Sequence, residues 1–550
     1  MSTNLESKMT LEKTENVNVE RERSWFSRRK ILITMTVLLL VSLYFCLVPS
    51  RLVVSPETTL TTLLKPNGKP DYVGTFRQEH NGQLTNPDDN GLRMVIEKFG
   101  PYVLEMSPLM RNSVWEDLPK DTTGMGNWYR EKWIPLCDAM SIDPAKKPVE
   151  YKPISVKIDE TKKEEYVKRT FLTSLMTKSW RAEDYPDIAE FVRENEGALA
   201  VYAAAAKKPQ WICYRYETNN ITETLLPDVQ STRSACRDFA IRANERISRN
   251  DIAGAFDDAL SIIRIGRHLT KGESLVERLA GFSGELIGID VIQSILTYGN
   301  PNAEQIHQFI KELDNLPKAD HSLDKIIRFE KMAVLELLFN LRNEFRDNKD
   351  DWQNMINSDS RAQMLTWLSI LPIDYNIASK RIQSCYINME KANKETDYRK
   401  RKQICASLDH AVEKAGGAIT KPQEVLFRLP LIQLRSTLVA DYISLLMFPS
   451  FGAFANAEAR LETLKDLLRI SFALELYQRE NGQYPDKLEV LAPKYISAIP
   501  NDIFTSNELT YKKNDNGYIL YSFGQNEIDD NGAAEQYKDI TVERKKDSSK

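Results

Sequence analysis

One uncharged run, "ILITMTVLLLVSLYFCLV" from Ile31 to Val48, constrains this chain more than any other stretch. At ~1.5 Å of rise per residue, a helix of this length nearly crosses a ~30 Å hydrocarbon layer, so the segment is expected to span a membrane. Arg21, Arg23, Arg28, Arg29 and Lys30 precede it, while Pro49 and a single Arg51 follow. Excess positive charge stays on the cytoplasmic side. Residues 1–30 therefore read as a cytoplasmic tail, 31–49 as a single-pass anchor, and everything after Pro49 as extracytoplasmic, in the periplasm. A cleaved signal peptide has the same basic-then-apolar order, but "PSRLVV" offers no small-x-small cleavage site. Cys46 follows the bulky "LYF" and reads as an apolar residue of the span.

A chain of 550 residues exceeds what one hydrophobic core serves, so two or more folded units are expected. The formal charge is only −4, and lysines and arginines alternate with acids instead of forming a basic face, which argues against a nucleic-acid partner. Beyond the span lie Cys137, Cys213, Cys236, Cys385 and Cys405. Their spacings match no metal pattern, so zinc is not expected. An oxidising compartment permits bridges such as Cys213–Cys236 or Cys385–Cys405, and buried unpaired thiols are the alternative.

Residues 50–165, with "KPNGKPDYVG", "NPDDNG" and "DPAKKPVEYKP", predict an irregular membrane-proximal region with short helices. From 166 to 450 the pattern is helical. "SWRAEDYPDIAEFVRENEGALAVYAAAAKKP" reads as one helix or two, ended by proline. Phe239, Ala243 and Ile247 share one helical face, "SRND" breaks it, and Ile252, Ala255, Phe256, Ala259, Ile262 and Ile263 form a second face. This predicts a helical hairpin that builds its own core, with no repeat array of fixed period. "LIQLRSTLVADYISLLMF" is apolar enough to suggest a second span, but Arg435 and Asp441 would each cost ~2.5–3.5 kcal/mol at a bilayer centre. It reads as a buried soluble helix.

Residues 451–545 form a different module. Leu461, Leu464, Leu468 and Phe472 lie at helical spacing, Gly482 is placed to end the helix, and Pro485 forbids its return. "ELTYKK" and "GYILYSF", separated by "NDNG", predict a β-hairpin. The expected fold class is mainly α: a transmembrane helix, a large helical domain, and a small α+β module with a long helix and a short antiparallel sheet.

At "ALELYQRENGQYPDKLEVL", "IPNDIF" and "YILYSFGQNEIDDNG" this module resembles the globular region of type II secretion major pseudopilins. The resemblance covers roughly Ala455 to Ile540. It implies a long helix ending in a "YP" turn, a short hairpin, and a loop that holds calcium. Asn526 takes the place of the first loop aspartate, Asp529 and Asp530 occupy its acidic part, and Asp539 matches a closing "DI". Pseudopilins carry a short leader cut before a Phe and an apolar helix continuous with the globular one; neither is present here, so the chain is not expected to polymerise. The whole arrangement, including "W-x-A-E-D-x-P" and "NDIAGAFDDALSIIRIGRHL", also resembles a group of uncharacterised membrane-anchored bacterial proteins of planctomycete type, which implies architecture and no chemistry.

Calcium takes six to eight oxygens, and a loop rich in Asp, Asn and Gly permits such wrapping. The loop is not an EF-hand: with Gly532 as the sixth position, Glu527 is first and Lys538 twelfth, where a bidentate Glu belongs. Asn526, Asp529, Asp530 and Asp539 are the expected ligands of one structural calcium ion. Catalytic signals are thin. His80, His268, His307, His321 and His410 form no metal or triad pattern, and no G-x-S-x-G or phosphate loop occurs. His268 is expected to cap its helix or face water. His410 and Glu413 read as a solvent-facing pair, and Asp257 and Asp258, being adjacent, point to different faces. The expected function is a membrane-anchored extracytoplasmic interaction or scaffold protein with envelope protein partners, envelope or secretion related. The alternative is an envelope hydrolase with a carboxylate-based site in the helical domain, marked by convergent buried carboxylates or a His–carboxylate pair in one deep pocket.

Overall fold

The computed structural model describes residues 33–37, 49–55, 59–104, 133–146, 148–149, 151–154, 165–215, 218, 221, 227–318, 322–347, 372–395, 397–419, 431–447, 451–515, 517–533 and 538–545. Of the expected anchor, residues 33–37 are helical, with all five side chains exposed. The rest of the span up to Val48, the cytoplasmic tail, Cys46 and His321 lie outside the described residues.

In chain order the helices are α1 (Tyr72–Asn81), α2 (Gly91–Phe99), α3 (Ile134–Met140), α4 (Glu165–Thr177), α5 (Pro186–Glu194), α6 (Glu196–Ala206), α7 (Pro227–Ser248), α8 (Ile252–Leu269), α9 (Leu275–Ser294), α10 (Ala303–Asp314), α11 (Asp324–Asp347), α12 (Tyr375–Lys394), α13 (Tyr398–Ile419), α14 (Ile432–Met447) and α15 (Phe451–Asn481). Three strands follow: β1 (Thr510–Asn514), β2 (Gly517–Ser522) and β3 (Ile540–Lys545). Among the described residues the fold is mainly helical, with one small antiparallel sheet near the C-terminus.

Packing divides the chain into two compact units that do not follow chain order. One comprises Met1–Leu60, Leu337–Ser384 and Ala411–Met447; the other comprises Thr61–Glu336, Cys385–His410 and Phe448–Lys550. In the first unit α14 buries Ile432, Leu438, Val439 and Ile443. Its two charges are met within the protein: Arg435 Nε donates to Pro372 O at 2.7 Å, and Asp441 Oδ1 accepts from Arg381 Nε at 2.5 Å. Paired in this way, they sit within a helix packed inside the protein. Asp374 ties residues 49–55 into this unit, accepting from the backbone N and hydroxyl of Ser50 at 2.8 and 2.6 Å.

The second unit is built on the expected hairpin of α7 and α8, with α9 laid against both. Phe239, Ala243, Ile247, Ile252, Ala255, Phe256, Ala259, Ile262 and Ile263 are all buried. Each fully buried isoleucine contributes ~1.5–3 kcal/mol over exposure. Asp251 ends the "SRND" break by accepting from Gly254 N at 3.0 Å, which caps α8. The "AEDYP" segment gives two helices, α5 beginning on Pro186 and α6 running to Ala206. Trp180 locks them down by donating from Nε1 to Ile241 O at 3.0 Å, within a cluster that includes Ile154, Leu175, Ile188 and Val192. The stretch Leu275–Gly299 is the one described helix long and apolar enough to cross a membrane, yet 67% of its 18-residue apolar window is buried inside the protein. Its apolar character comes from packing on several sides at once.

The C-terminal module belongs to this second unit. α15 stops at Asn481, just before Gly482, as its sequence predicts. β1 and β2 pair as the expected hairpin, with Asn514 opposite Gly517, and β3 pairs on the other edge of β2, Ser522 opposite Ile540. The third strand was not foreseen. Central in the sheet, β2 buries Tyr518, Leu520 and Tyr521. Of the two alternatives for the cysteines the structure shows the unbridged one: none of Cys137, Cys213, Cys236, Cys385 and Cys405 is in a disulfide. Four of these five thiols are buried among side chains, which serves the apolar packing role instead.

Candidate functional site

Two places in the second unit concentrate polar chemistry. The first is a cavity of about 370 Å³ in the helical part. One wall is the extended segment 210–215, which two asparagines hold as a neighbouring strand would. Asn90 accepts from Ile212 N at 3.1 Å and donates to Ile212 O at 2.7 Å. Asn81 does the same for Arg215, at 2.9 Å each way. The opposite wall is the start of α9, where Ser274 and Glu277 form a capping box.

Across this cavity His80, in the last turn of α1, meets Glu273, with Nδ1 2.8 Å from Oε2. Its Nε2 lies 2.8 Å from Cys213 O. Both ring nitrogens are therefore engaged, one with a carboxylate and one with a backbone carbonyl, and the ring is fixed in place between them. Burial pushes the Glu273 carboxyl up, but the hydrogen bonds from His80 and from Gln83 at 2.6 Å outweigh it and hold it below its usual range. The Arg215 guanidinium is fully buried between Asp228 at 3.3 Å and Glu277 at 2.9 Å. Glu277 also accepts from the backbone of Glu273 and Ser274, so a single carboxylate joins the helix cap to the ion pair.

His268 closes the cavity from the end of α8. Neither of its expected settings is right: it is buried, stacked on Trp211 at 5.8 Å, with Nε2 donating to Ala206 O at 3.1 Å. Burial lowers its pKa to about 4, so the ring is neutral at ordinary pH. Burial also raises the Cys213 thiol far above its usual range, which makes it inert. Asp257 and Asp258 do diverge: the first is exposed, while the second is buried against Arg242 at 2.6 Å and Arg246 at 3.1 Å. His307 and His410 are exposed.

The second place is the acidic loop after β2. The structure brings Asn526, Asp529, Asp530 and Asp539 into one turn, but aims them at the loop's own backbone. Asp539, 1% exposed, accepts from Asp530 N at 3.3 Å and Gly532 N at 2.6 Å. Asp529 accepts from Asn531 N at 2.8 Å and from the Tyr521 hydroxyl at 3.1 Å. Asn526 accepts from Ile528 N at 3.2 Å and donates to Asp530 at 2.8 Å. Gly524 turns with φ +66°, where a Cβ would stand 2.2 Å from Lys538 O. Two ammonium groups serve the loop: Lys402 bonds Glu527 at 2.6 Å, and Lys512 lies 5.2 Å above the Tyr521 ring. Among the described residues, no group of three or more His, Cys, Asp or Glu side chains stands close enough to hold a metal ion. As arranged, the expected calcium ligands do not fit a cage of converging oxygens.

Sequence reasoning missed the His80–Glu273 pair because its members are 193 positions apart. The one readable signal was "SLVE", a capping box that places Glu277 at the cavity wall. No protein-family model, curated protein or solved structure matches the chain.

Proposed function

We propose that this chain is a membrane-anchored extracytoplasmic binding protein, a scaffold for other envelope proteins, and not a catalyst. The observation that carries this reading is the mutual engagement of the polar groups around the cavity: both ring nitrogens of His80 are held, by Glu273 and Cys213 O, and Arg215 is paired with Asp228 and Glu277. A hydrolase needs a base turned toward a nucleophile, whereas these groups are turned toward one another and hold a shape. Anchoring is supported by the exposed Ile33, Met35 and Val37 on helical residues 33–37 and by the basic residues before Ile31. The pseudopilin-like pattern of the C-terminal module supports envelope or secretion-related partners. In this reading its acidic loop is a structural closure that needs no calcium.

A second reading, an envelope hydrolase, draws on a histidine–carboxylate pair standing in a cavity. The two part on one assay. The full chain in detergent, given ester, glycoside and peptide substrates, is expected to turn over none of them above buffer. Turnover that disappears in Glu273→Gln would establish the hydrolase. In spheroplasts, added protease is expected to leave only a small N-terminal fragment, and full protection would overturn the orientation. A photo-crosslinking residue at the exposed Val276 or Leu279 is expected to capture envelope proteins in cells.

A further inference from the structure

Helices α8, α9, α10 and α15 and the segment Tyr495–Ser497 enclose a separate cavity of about 340 Å³. One part of its lining is apolar, with Ile263, Ile289, Ile310, Leu313, Leu468 and Phe472, and another part is charged, with Arg267, Asp314, Lys465 and Arg469. Glu285, 1% exposed, also lines it. Oε2 of this carboxylate is held by Lys465 Nζ at 2.9 Å and Arg267 Nε at 3.5 Å, while Oε1 is buried and accepts no hydrogen bond. Native folds leave few buried oxygens in that condition, and such an oxygen on the wall of a cavity points to a donor that comes from elsewhere.

The surrounding charges narrow the donor. Arg267 also gives Nη1 to Pro317 O at 2.6 Å, Lys465 also holds Glu462 at 3.0 Å, and Arg469 is held by Asp466 at 3.2 Å. These cations are engaged, so an anionic head would find no unmatched positive charge and would meet Glu285 and Asp314. A cationic head at Oε1 would stand beside the two cations, Lys465 and Arg267, that already hold Oε2 of the same carboxylate. A neutral O–H avoids both costs.

We propose that this cavity binds an uncharged amphipathic molecule, an aliphatic chain whose hydroxyl donates to Glu285 Oε1. The chain would lie against the isoleucines, the leucines and Phe472, and the head would pair with the buried Oε1 of Glu285. This site is distinct from the polar cavity beside His80 and does not depend on its role.

The test is photolabelling of the full chain in its own membrane with a diazirine-bearing octanol, with adducts located by mass spectrometry. Adducts are expected on the α8, α10 and α15 residues that line the cavity. Unlabelled octanol is expected to suppress them at about tenfold lower concentration than octanoate or octylamine, the worth of one hydrogen bond. Leu313→Trp, at a half-buried position on α10, fills the space and should abolish the adducts; Ile310→Trp repeats the test from the next turn should the first variant misfold. Adducts confined to other regions would overturn the proposal, as would octanoate or octylamine competing as well as octanol, or labelling that survives in both folded variants.

Discussion

Arg544, in the last strand, places Nε 3.4 Å from Oε1 of Glu475, a residue of α15 that is 1% exposed. The same carboxylate accepts from Arg479 at 2.6 Å and from the Tyr484 hydroxyl at 2.7 Å, and Arg544 donates as well to Thr297 O. Glu475 is thus the node joining the long helix, the "YP" turn, the sheet and the end of α9. Removing it strands two guanidiniums, so Glu475→Ala is expected to cost ~3–5 kcal/mol in urea unfolding of the full chain. Arg544→Ala leaves Glu475 two partners and should cost ~1–2 kcal/mol. Equal losses would mean that the node does not hold.

His268 sets an acid sensitivity. Its ring titrates near 6.5 when exposed and at about 4 in the fold. Between those values the unfolded chain binds a proton that the folded chain refuses, so stability falls as pH drops from 6.5 toward 4 and levels off below. At ~1.4 kcal/mol per pH unit, the loss from pH 7 to pH 5 is ~2 kcal/mol. His268→Phe keeps the stack on Trp211 and should remove that part of the slope in denaturation curves. An unchanged slope would place the acid sensitivity elsewhere.

Helices α8 and α9 cross at glycines. A Cβ on Gly281 would stand 2.6 Å from Gly266 O and 2.7 Å from Thr270 N. Helix propensity alone favours alanine by ~1 kcal/mol, and overpacking against backbone costs ~1–3 kcal/mol. Gly281→Ala should therefore lower the melting temperature. Gly197→Ala in α6, with no atom within 4 Å of the new Cβ, should raise it slightly. Opposite signs in thermal melts check the pair.

The acidic loop is expected to respond to its aspartates and not to calcium. Asp539→Ala removes the acceptor of two backbone N–H groups and should cost ~1–3 kcal/mol. An ion at a hundredfold excess over its dissociation constant would add ~2.7 kcal/mol. Millimolar calcium is expected to leave the melting curve of the full chain unmoved; a rise lost in Asp529→Ala/Asp530→Ala would restore the ion.

What the sequence determined alone was local. The 3.6-residue spacing of Phe239, Ala243 and Ile247, the break at "SRND", the proline at 186, the stop before Gly482 and the "NDNG" hairpin all depend on neighbours a turn or two away, and each stands where it was expected. The strand Ile540–Lys545 escaped because it pairs with Gly517–Ser522 across an acidic loop, and nothing local announces a partner. Tertiary structure alone decided the sites. His80 meets Glu273 and Glu285 meets Lys465 across long stretches of chain. It alone decided, too, that Asp529 and Asp539 face backbone N–H groups. Loop composition selects which oxygens are near, but their direction follows from which N–H groups the folded backbone leaves unpaired, and that is known only once the whole chain has packed.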